Sequence, residues 1–298
     1  MVKPVITGRT KLVGILGHPI THTLSPAMHN AAFAALGLDF AYLPFDVRPE
    51  ELKNAVAGIR ALSIVGVNVT VPHKETVLDS LDVVTEAAGL IGAVNTIVNH
   101  DGRLTGYNTD AIGFLKALED TGFDPRGKEA AVLGAGGAAR AVGAALGMSR
   151  IRRITFFNRT LERAKELAQM VAGATGVQST AVPWEEMGKS GMSIIRSADI
   201  VVQTTSIGMH PREAECPPVP ADAFRKDQVV VDLVYNPAPT RFLKRAAAAG
   251  ARTQDGVRML LHQGAAAFEL WTGRPAPITV MENALKTAQA ASQVAEHP

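Results

Sequence analysis

At 298 residues the chain is longer than one ordinary compact domain, and with 47% hydrophobic but only 19% charged residues it carries material for two buried cores, which excludes a disordered chain. Thirty Lys and Arg against 28 Asp and Glu leave a formal net charge of +2 with no cationic run, which excludes a nucleic-acid stripe and means that any anionic ligand must be caught locally. Neither the N-terminal MVKPVITGRTKLVGILG nor any later stretch has the apolar length of a signal peptide or bilayer span, and the single cysteine, Cys216, cannot form an intrachain disulfide, so a cytoplasmic protein with no membrane partner is expected.

Short apolar runs rich in β-branched residues alternate with Ala-rich stretches of helical period, the pattern of parallel sheets covered by helices, so the fold class expected is α/β. Strands are predicted at 12–16, 41–45, 66–69 and 93–98, then at 130–133, 153–157, 200–203 and 229–233, with helices after most of them. A second domain is expected to begin near Thr109, because 112–118 suits a connecting helix before DTGFDPRGKEA turns the chain into a new strand. Beyond about residue 255 the pattern is purely helical, at 259–271 and 278–294. Those two helices have nothing to pair with in the second sheet and are predicted to return to the first domain. The expected molecule is discontinuous and has two domains. The first, at 1–108 with 256–298 returning to it, holds a mostly parallel sheet; the second, at 109–255, is Rossmann-like; a cleft separates the lobes.

The first domain carries polar residues where a purely structural chain would not need them. GHPITHTLSPAMHNAAF sets Thr23 and Ser25 just before Pro26, a residue suited to a first helical turn, and two hydroxyls beside a helix N-terminus make a seat for a carboxylate. Taken alone, Ser25 is more often a helix cap than a ligand contact. NVTVPHKE ends a strand and puts Lys74 near its C-terminal edge, where open parallel sheets bind ligands. GAVNTIV places Asn95 inside an apolar strand, and GYNTDAIGF places Asp110 at a helix start, where a capping role is the plain alternative. His73, beside Lys74, is expected to face solvent on its loop.

In the second domain, AAVLGAGGAARAVGAAL runs from an apolar strand through Gly134, Gly136 and Gly137 into an amphipathic helix. Gly134 permits the tight turn, Gly136 lets backbone approach a pyrophosphate, and the helix N-terminus offers unpaired N–H groups, which together describe a dinucleotide site. The third glycine position is Ala139. NAD sites place an acid at the end of the next strand for the ribose 2′-hydroxyl, whereas this chain reads FFNRTLERAKEL. Asn158, Arg159, Thr160 and Arg163 are polar or cationic, and the two arginines suit a 2′-phosphate, so the cofactor expected is NADP.

The chain closely resembles the shikimate dehydrogenase family. The motifs that carry the resemblance, in order, are THTLSPAMH, NVTVPHKE, GAVNT, NTDAIGF, GAGGAAR, NRT, TTSIGM, DLVYNPAPT and GVRMLLHQGAAAFELW, spread from about residue 14 to 272. The resemblance implies NADPH-dependent, reversible reduction of 3-dehydroshikimate to shikimate in aromatic amino-acid biosynthesis. It implies Lys74 and Asp110 as the catalytic pair, Asn95 and Thr70 on ring hydroxyls, Thr23, Ser25 and Tyr235 on the carboxylate, and Gln263 at the reacting side of the ring. On the cofactor it implies Gly134, Ala135, Gly136, Gly137, Ala138 and the stretch from Asn158 to Arg163, with Met209, Leu233 and Gly256 near the nicotinamide. Many relatives have serine where this chain has Thr23, and the extra methyl narrows the pocket.

Two other readings stay open: a quinate/shikimate dehydrogenase of relaxed specificity, which often uses NAD, and a non-catalytic NADP-binding sensor, which would not need both Lys74 and Asp110. His18, His22 and His29 invite a metal, but Pro19 breaks any helix through their spacing and no carboxylate cluster joins them, so no metal is expected. GFDPRGKE matches phosphate-loop spacing up to Lys128, yet Glu129 stands where magnesium needs a hydroxyl and a strand follows. Trp184 and Trp271 are expected to pack. The protein is expected to act as a monomer or homodimer.

Overall fold

A computed structural model describes residues 6–295; the ends assigned above to the first domain, 1–5 and 296–298, lie outside the described residues. The chain divides into two compact units, one formed by residues through Gly113 and from Leu260 onward, the other by Phe114–Met259.

The first unit is built from β1 (Lys11–Gly17), α1 (Ser25–Ala35), β2 (Phe40–Asp46), α2 (Leu52–Ala61), β3 (Gly66–Val69), β4 (Val83–Val84), α3 (Glu86–Ile91), β5 (Thr96–His100) and β6 (Arg103–Tyr107). Helix α4 (Asp110–Glu119) carries the chain into the second unit, which contains β7 (Glu129–Leu133), α5 (Gly137–Met148), β8 (Arg153–Asn158), α6 (Leu161–Thr175), β9 (Gln178–Pro183), α7 (Ser190–Ser197), β10 (Ile200–Gln203), β11 (Val229–Asp232), α8 (Arg241–Ala248) and β12 (Arg252–Gln254). Helix α9 (Val257–Thr272) leads back, and α10 (Ile278–Ala295) lies along α1. Among the described residues no helix is long and apolar enough to cross a membrane.

The second unit is a six-stranded parallel sheet in the order β12-β11-β10-β7-β8-β9. Its central strands β7, β10 and β11 are buried almost throughout, as sheets with helices on both faces require. The first unit has the order β2-β1-β3-β5-β6-β4, in which β1–β2, β1–β3 and β4–β6 run parallel while β3–β5 and β5–β6 run antiparallel. The β5–β6 pairing has a local cause. His100 pairs with Arg103, and the intervening Asp101 and Gly102 both take positive φ (50° and 88°), the two-residue turn that Asp-Gly favours in a hairpin.

One face of the first sheet buries Val56 and Ile59 of α2 against Leu16, Val67, Val69, Ile97 and Leu104. On α1 and α9, Phe33 stacks on Phe40 and on Phe268. Trp271 packs as expected and also donates its indole N–H to the Ile97 carbonyl at 3.1 Å. Gly66 makes that approach possible, because a Cβ there would run into the Ile97 carbonyl and the Trp271 ring.

His29, in the middle of α1, is fully buried in this aromatic group, its ring stacked on Tyr42 at 4.4 Å and 4°. Neither ring nitrogen has a hydrogen-bond partner among the described residues. Burial lowers its pKa from 6.5 to about 3, so the fold requires the neutral ring. Between those two values the unfolded chain takes up a proton that the folded chain refuses, so stability present above pH 6.5 is lost as pH falls toward 3, by about 1.4 kcal/mol per pH unit. Urea denaturation at pH 7.5 and pH 5 should show wild type losing about 2 kcal/mol relative to His29→Phe over that interval. An unchanged gap would mean that His29 is not held neutral.

Candidate active site

β3 ends at Val69, and the turn beyond it fixes Lys74 through its backbone: Thr70 N–H donates to the Leu16 carbonyl, His73 N–H to Thr70, and Val94 N–H to the carbonyl of Lys74 itself. His73 does not face solvent as expected. It is 1% exposed, and its Nε2 lies 2.7 Å from the Val47 carbonyl just past β2. The turn folds inward at that point, and a buried imidazole beside a carbonyl must donate to it.

The Lys74 ammonium donates to Asp110 Oδ2 at 2.6 Å, with the two side chains only 15% and 5% exposed. Asp110 is free for this because another residue caps its helix. Asn108 Oδ1 accepts from the N–H groups of Asp110 and Ala111, and Asn108 Nδ2 donates to the Ala93 carbonyl. The other carboxylate oxygen, Asp110 Oδ1, accepts from Asn95 Nδ2 at 2.9 Å. Asn95 stands one residue before β5, and its amide orientation is set by Oδ1, which accepts from Thr109 N–H at 2.7 Å. Its Nδ2 also lies 2.9 Å from Thr109 Oγ1 and 3.4 Å from Oε1 of Gln263, brought in by α9.

Charge-assisted bonds of this kind are short and strong, and removing one member leaves the other charge buried and unpaired. An ammonium so held can hand a proton to an oxygen on which negative charge is growing.

Beneath this pair lies a second layer of amides and hydroxyls absent from the expected residues. The Tyr42 hydroxyl donates to Asn68 Oδ1 at 2.8 Å, and Asn68 Nδ2 donates to the Asn95 carbonyl and to Thr96 Oγ1. Asn68 breaks the apolar run of NVTV, which is the signal that could have found it. Thr109 and Asn108 adjoin Asp110 and could have been read with it.

At the start of α1, Thr23 Oγ1 accepts from Ser25 N–H at 3.3 Å, so the cap-like bond belongs to Thr23 and, among the described residues, not to the Ser25 side chain. Ser25 is 3% exposed, while Thr23 and Thr70 are half-buried. Thr23, Ser25, Thr70, Lys74, Asn95, Asp110 and Gln263 all belong to the first unit, whereas Tyr235 belongs to the second.

In the second unit, β7 runs into a turn at Gly134, whose φ of 119° is closed to most L side chains, and whose Cβ would meet Thr204 Oγ1 at 2.5 Å. Gly134 N–H donates to the Phe157 carbonyl, and Thr204 Oγ1 to the Leu133 carbonyl, which ties the ends of β7, β8 and β10 together. Gly136 caps α5 with open space where a Cβ would sit, and the first-turn N–H groups of Gly137 and Ala138 have no intrahelical acceptor. The turn therefore fits a pyrophosphate.

No acid ends β8. Its last residue, Asn158, donates to the Thr160 carbonyl, and Arg159 and Arg163 are exposed. Met209 follows a loop shaped by Gln203, whose side chain donates to the Thr205 and Ile207 carbonyls. Gly256 N–H donates to the Val234 carbonyl, and Gly256 packs directly on the Leu233 backbone.

A parallel sheet with a glycine-rich strand–turn–helix, and a buried ammonium–carboxylate pair in a separate α/β unit, define a dinucleotide-dependent dehydrogenase. Residues 15–97 match the family described as shikimate dehydrogenase substrate binding domain, residues 117–233 shikimate/quinate 5-dehydrogenase, and residues 256–286 shikimate 5′-dehydrogenase C-terminal domain. The chain is 54% identical over 288 residues to the shikimate dehydrogenase (NADP(+)) of Moorella thermoacetica, covering 96% of each. Among solved structures it is similar to shikimate 5-dehydrogenase of Thermus thermophilus in complex with NADP(H) and shikimate, at 42% identity and TM-score 0.82, covering 93% of this chain and 99% of that one. It is similar also to shikimate 5-dehydrogenase of Listeria monocytogenes in complex with shikimate and NAD, at 39% identity and TM-score 0.86, covering 95% and 99%. The chain belongs to the shikimate dehydrogenase family.

The two loop glycines should separate under substitution. Gly134→Ala meets both strain and the Thr204 hydroxyl, and should lower stability by about 1–3 kcal/mol. Gly136→Ala has extended backbone and free space, so its melting temperature should match wild type while its affinity for NADPH, followed by fluorescence titration, falls at least about 10-fold. Undiminished NADPH affinity in Gly136→Ala would remove the pyrophosphate from this turn.

Proposed function

We propose that this enzyme catalyses the reversible NADP-dependent oxidation of shikimate to 3-dehydroshikimate. The observation that carries the reading is the Lys74–Asp110 pair, 2.6 Å apart and largely shielded from water, in a chain of this family. The dinucleotide, when bound, supplies a hydride in the reducing direction and accepts one in the other. In reduction, negative charge grows on the ketone oxygen, and Lys74 Nζ donates the proton that makes it a hydroxyl. In oxidation Lys74 takes that proton back. Asp110 orients the ammonium and balances its charge throughout, and Asn95 orients Asp110.

Thr23 and Ser25, at the positive end of α1, take the ring carboxylate, and Thr70, Asn95 and Gln263 read the ring hydroxyls and the reacting side; the assignment of Tyr235 to the carboxylate rests on the family resemblance. Gly134 to Ala138 cradle the pyrophosphate, Asn158 to Arg163 hold the adenosine end, and Met209, Leu233 and Gly256 line the nicotinamide. Arg159 and Arg163 favour NADP by pairing with a 2′-phosphate, where an NAD enzyme would present an acid. The free thiol of Cys216 suits a reducing compartment, which supports a cytoplasmic location.

The second reading, relaxed specificity with quinate or NAD, draws on the Listeria relative solved with NAD. An absorbance assay at the reduced-nicotinamide band, crossing shikimate or quinate with NADP or NAD, separates the two; shikimate with NADP should give the highest kcat/KM, and preference for quinate with NAD reverses the assignment. Lys74→Met should depress kcat by roughly 10²–10⁴-fold with a smaller change in KM, and a kcat within a few-fold of wild type removes Lys74 from the proton transfer. Arg159→Ala should raise KM for NADP selectively, and an equal loss with both dinucleotides contradicts its assignment to the phosphate.

A further inference from the structure

Asp232, the last residue of β11, is a carboxylate that the reaction above leaves unused. It is 0% exposed, and among the described residues its partners are neutral: Thr240 Oγ1 donates to Oδ2 at 2.6 Å, and Val234 N–H donates to Oδ1 at 3.0 Å. Burial, with the nearby charge of Asp255 adding a little, pushes its pKa up to about 7 against the two hydrogen bonds. A buried carboxylate with no cation is an expensive way to hold a helix end. Thr240 already caps α8 without it, since Thr240 Oγ1 accepts from Leu243 N–H. What a carboxylate adds is a second acceptor, so that one rigid group grips both ends of the segment from Leu233 to Pro239.

That segment alternates. Val234 and Asn236 are buried, whereas Leu233 and Tyr235 are half-buried. Its buried side is fastened twice more: Gly256 N–H donates to the Val234 carbonyl, and His210 N–H, next to Met209, to the Asn236 carbonyl. Asp232 is thus the point from which Tyr235 is aimed, whereas Leu233 is held apart from it, its N–H donating to the Gln203 carbonyl and its backbone packed on Gly256.

We propose that Asp232 is a positioning residue, clasping Val234 and Thr240 so that Tyr235 is presented in the geometry that binds the acid substrate. The proposal rests on the reading of Tyr235 as a carboxylate contact, and the test keeps the two apart. Tyr235→Phe, Asp232→Asn and the double variant are compared for KM of shikimate, kcat and KM of NADP, with the melting temperature as a check on folding. Asp232→Asn keeps the shape but trades one acceptor for a donor; it should raise KM for shikimate about 10-fold while kcat and KM for NADP stay within about 2-fold. In the Tyr235→Phe background the same change should add little, because its effect runs through the tyrosine.

If Tyr235→Phe leaves KM for shikimate unchanged, the tyrosine reading falls and the proposal with it. If Tyr235→Phe raises KM but Asp232→Asn does not, or adds its full factor to the double variant, the clasp alone is overturned. Should Asp232→Asn fold poorly, Thr240→Val removes the hydroxyl donor and keeps the carboxylate. It should reproduce the rise in KM, whereas Thr240→Ser, which restores the donor, should not; equal behaviour of the two also overturns the clasp.

Discussion

The candidate active site depends on keeping an ammonium and a carboxylate in contact in a place nearly dry. A buried ion pair is stable only when both members find further partners, and the chain supplies them from backbone that is itself pinned. Val94 N–H fixes the carbonyl of Lys74, and Asn108 caps α4 so that Asp110 has no capping to do. Asn95, its own amide oriented by Thr109 N–H, takes the remaining oxygen of Asp110. With each neighbour held by another, the Asp110 carboxylate has a fixed place, and the ammonium bonded to it is directed by it.

The same logic explains the fold around the pair. β5 is antiparallel to β3, and that reversal sets Asn95, at the entry to β5, beside the end of β3. Asn68 then lies within reach of the Asn95 carbonyl and Thr96, and Tyr42 within reach of Asn68. An all-parallel order would have sent the entry of β5 to the far end of the sheet. The Asp101–Gly102 turn then brings β6 back beside β5, so that Thr109 and Asp110 follow Tyr107 at the end of the sheet where Asn95 stands.

Much of this was legible in the residues and some was not. The second unit was, because a buried parallel strand is a short apolar run and a glycine turn between strand and helix has few other meanings; 130–133 and 200–203 reappear within a residue as β7 and β10. Strands β4, β6, β9 and β12 were missed, being short or partly exposed, with no apolar run to mark them. The Asp-Gly hairpin was written in NHDGRL and passed over. Local residues could place Lys74 at a strand end and Asp110 at a helix start, but not join them, since 36 residues separate the two and periodicity speaks only of near neighbours. The pairing entered through family resemblance. His73 failed for a related reason: what buries it is Val47, 26 residues away.

Two buried carboxylates show how partners decide what an acid can do. Asp110 meets a cation and an amide that only donates to it, so its charge is matched and it holds the Lys74 ammonium in place. Asp232 meets a hydroxyl and a backbone N–H, which satisfy its oxygens without matching its charge, and burial accordingly pushes it up to about 7. An acid of the second kind serves to fix backbone, because two rigid acceptors on one short side chain define the path of the segment between their donors. Placed at the end of the strand from which Leu233 and Tyr235 depart, it does for the second unit what Asn95 does for the first.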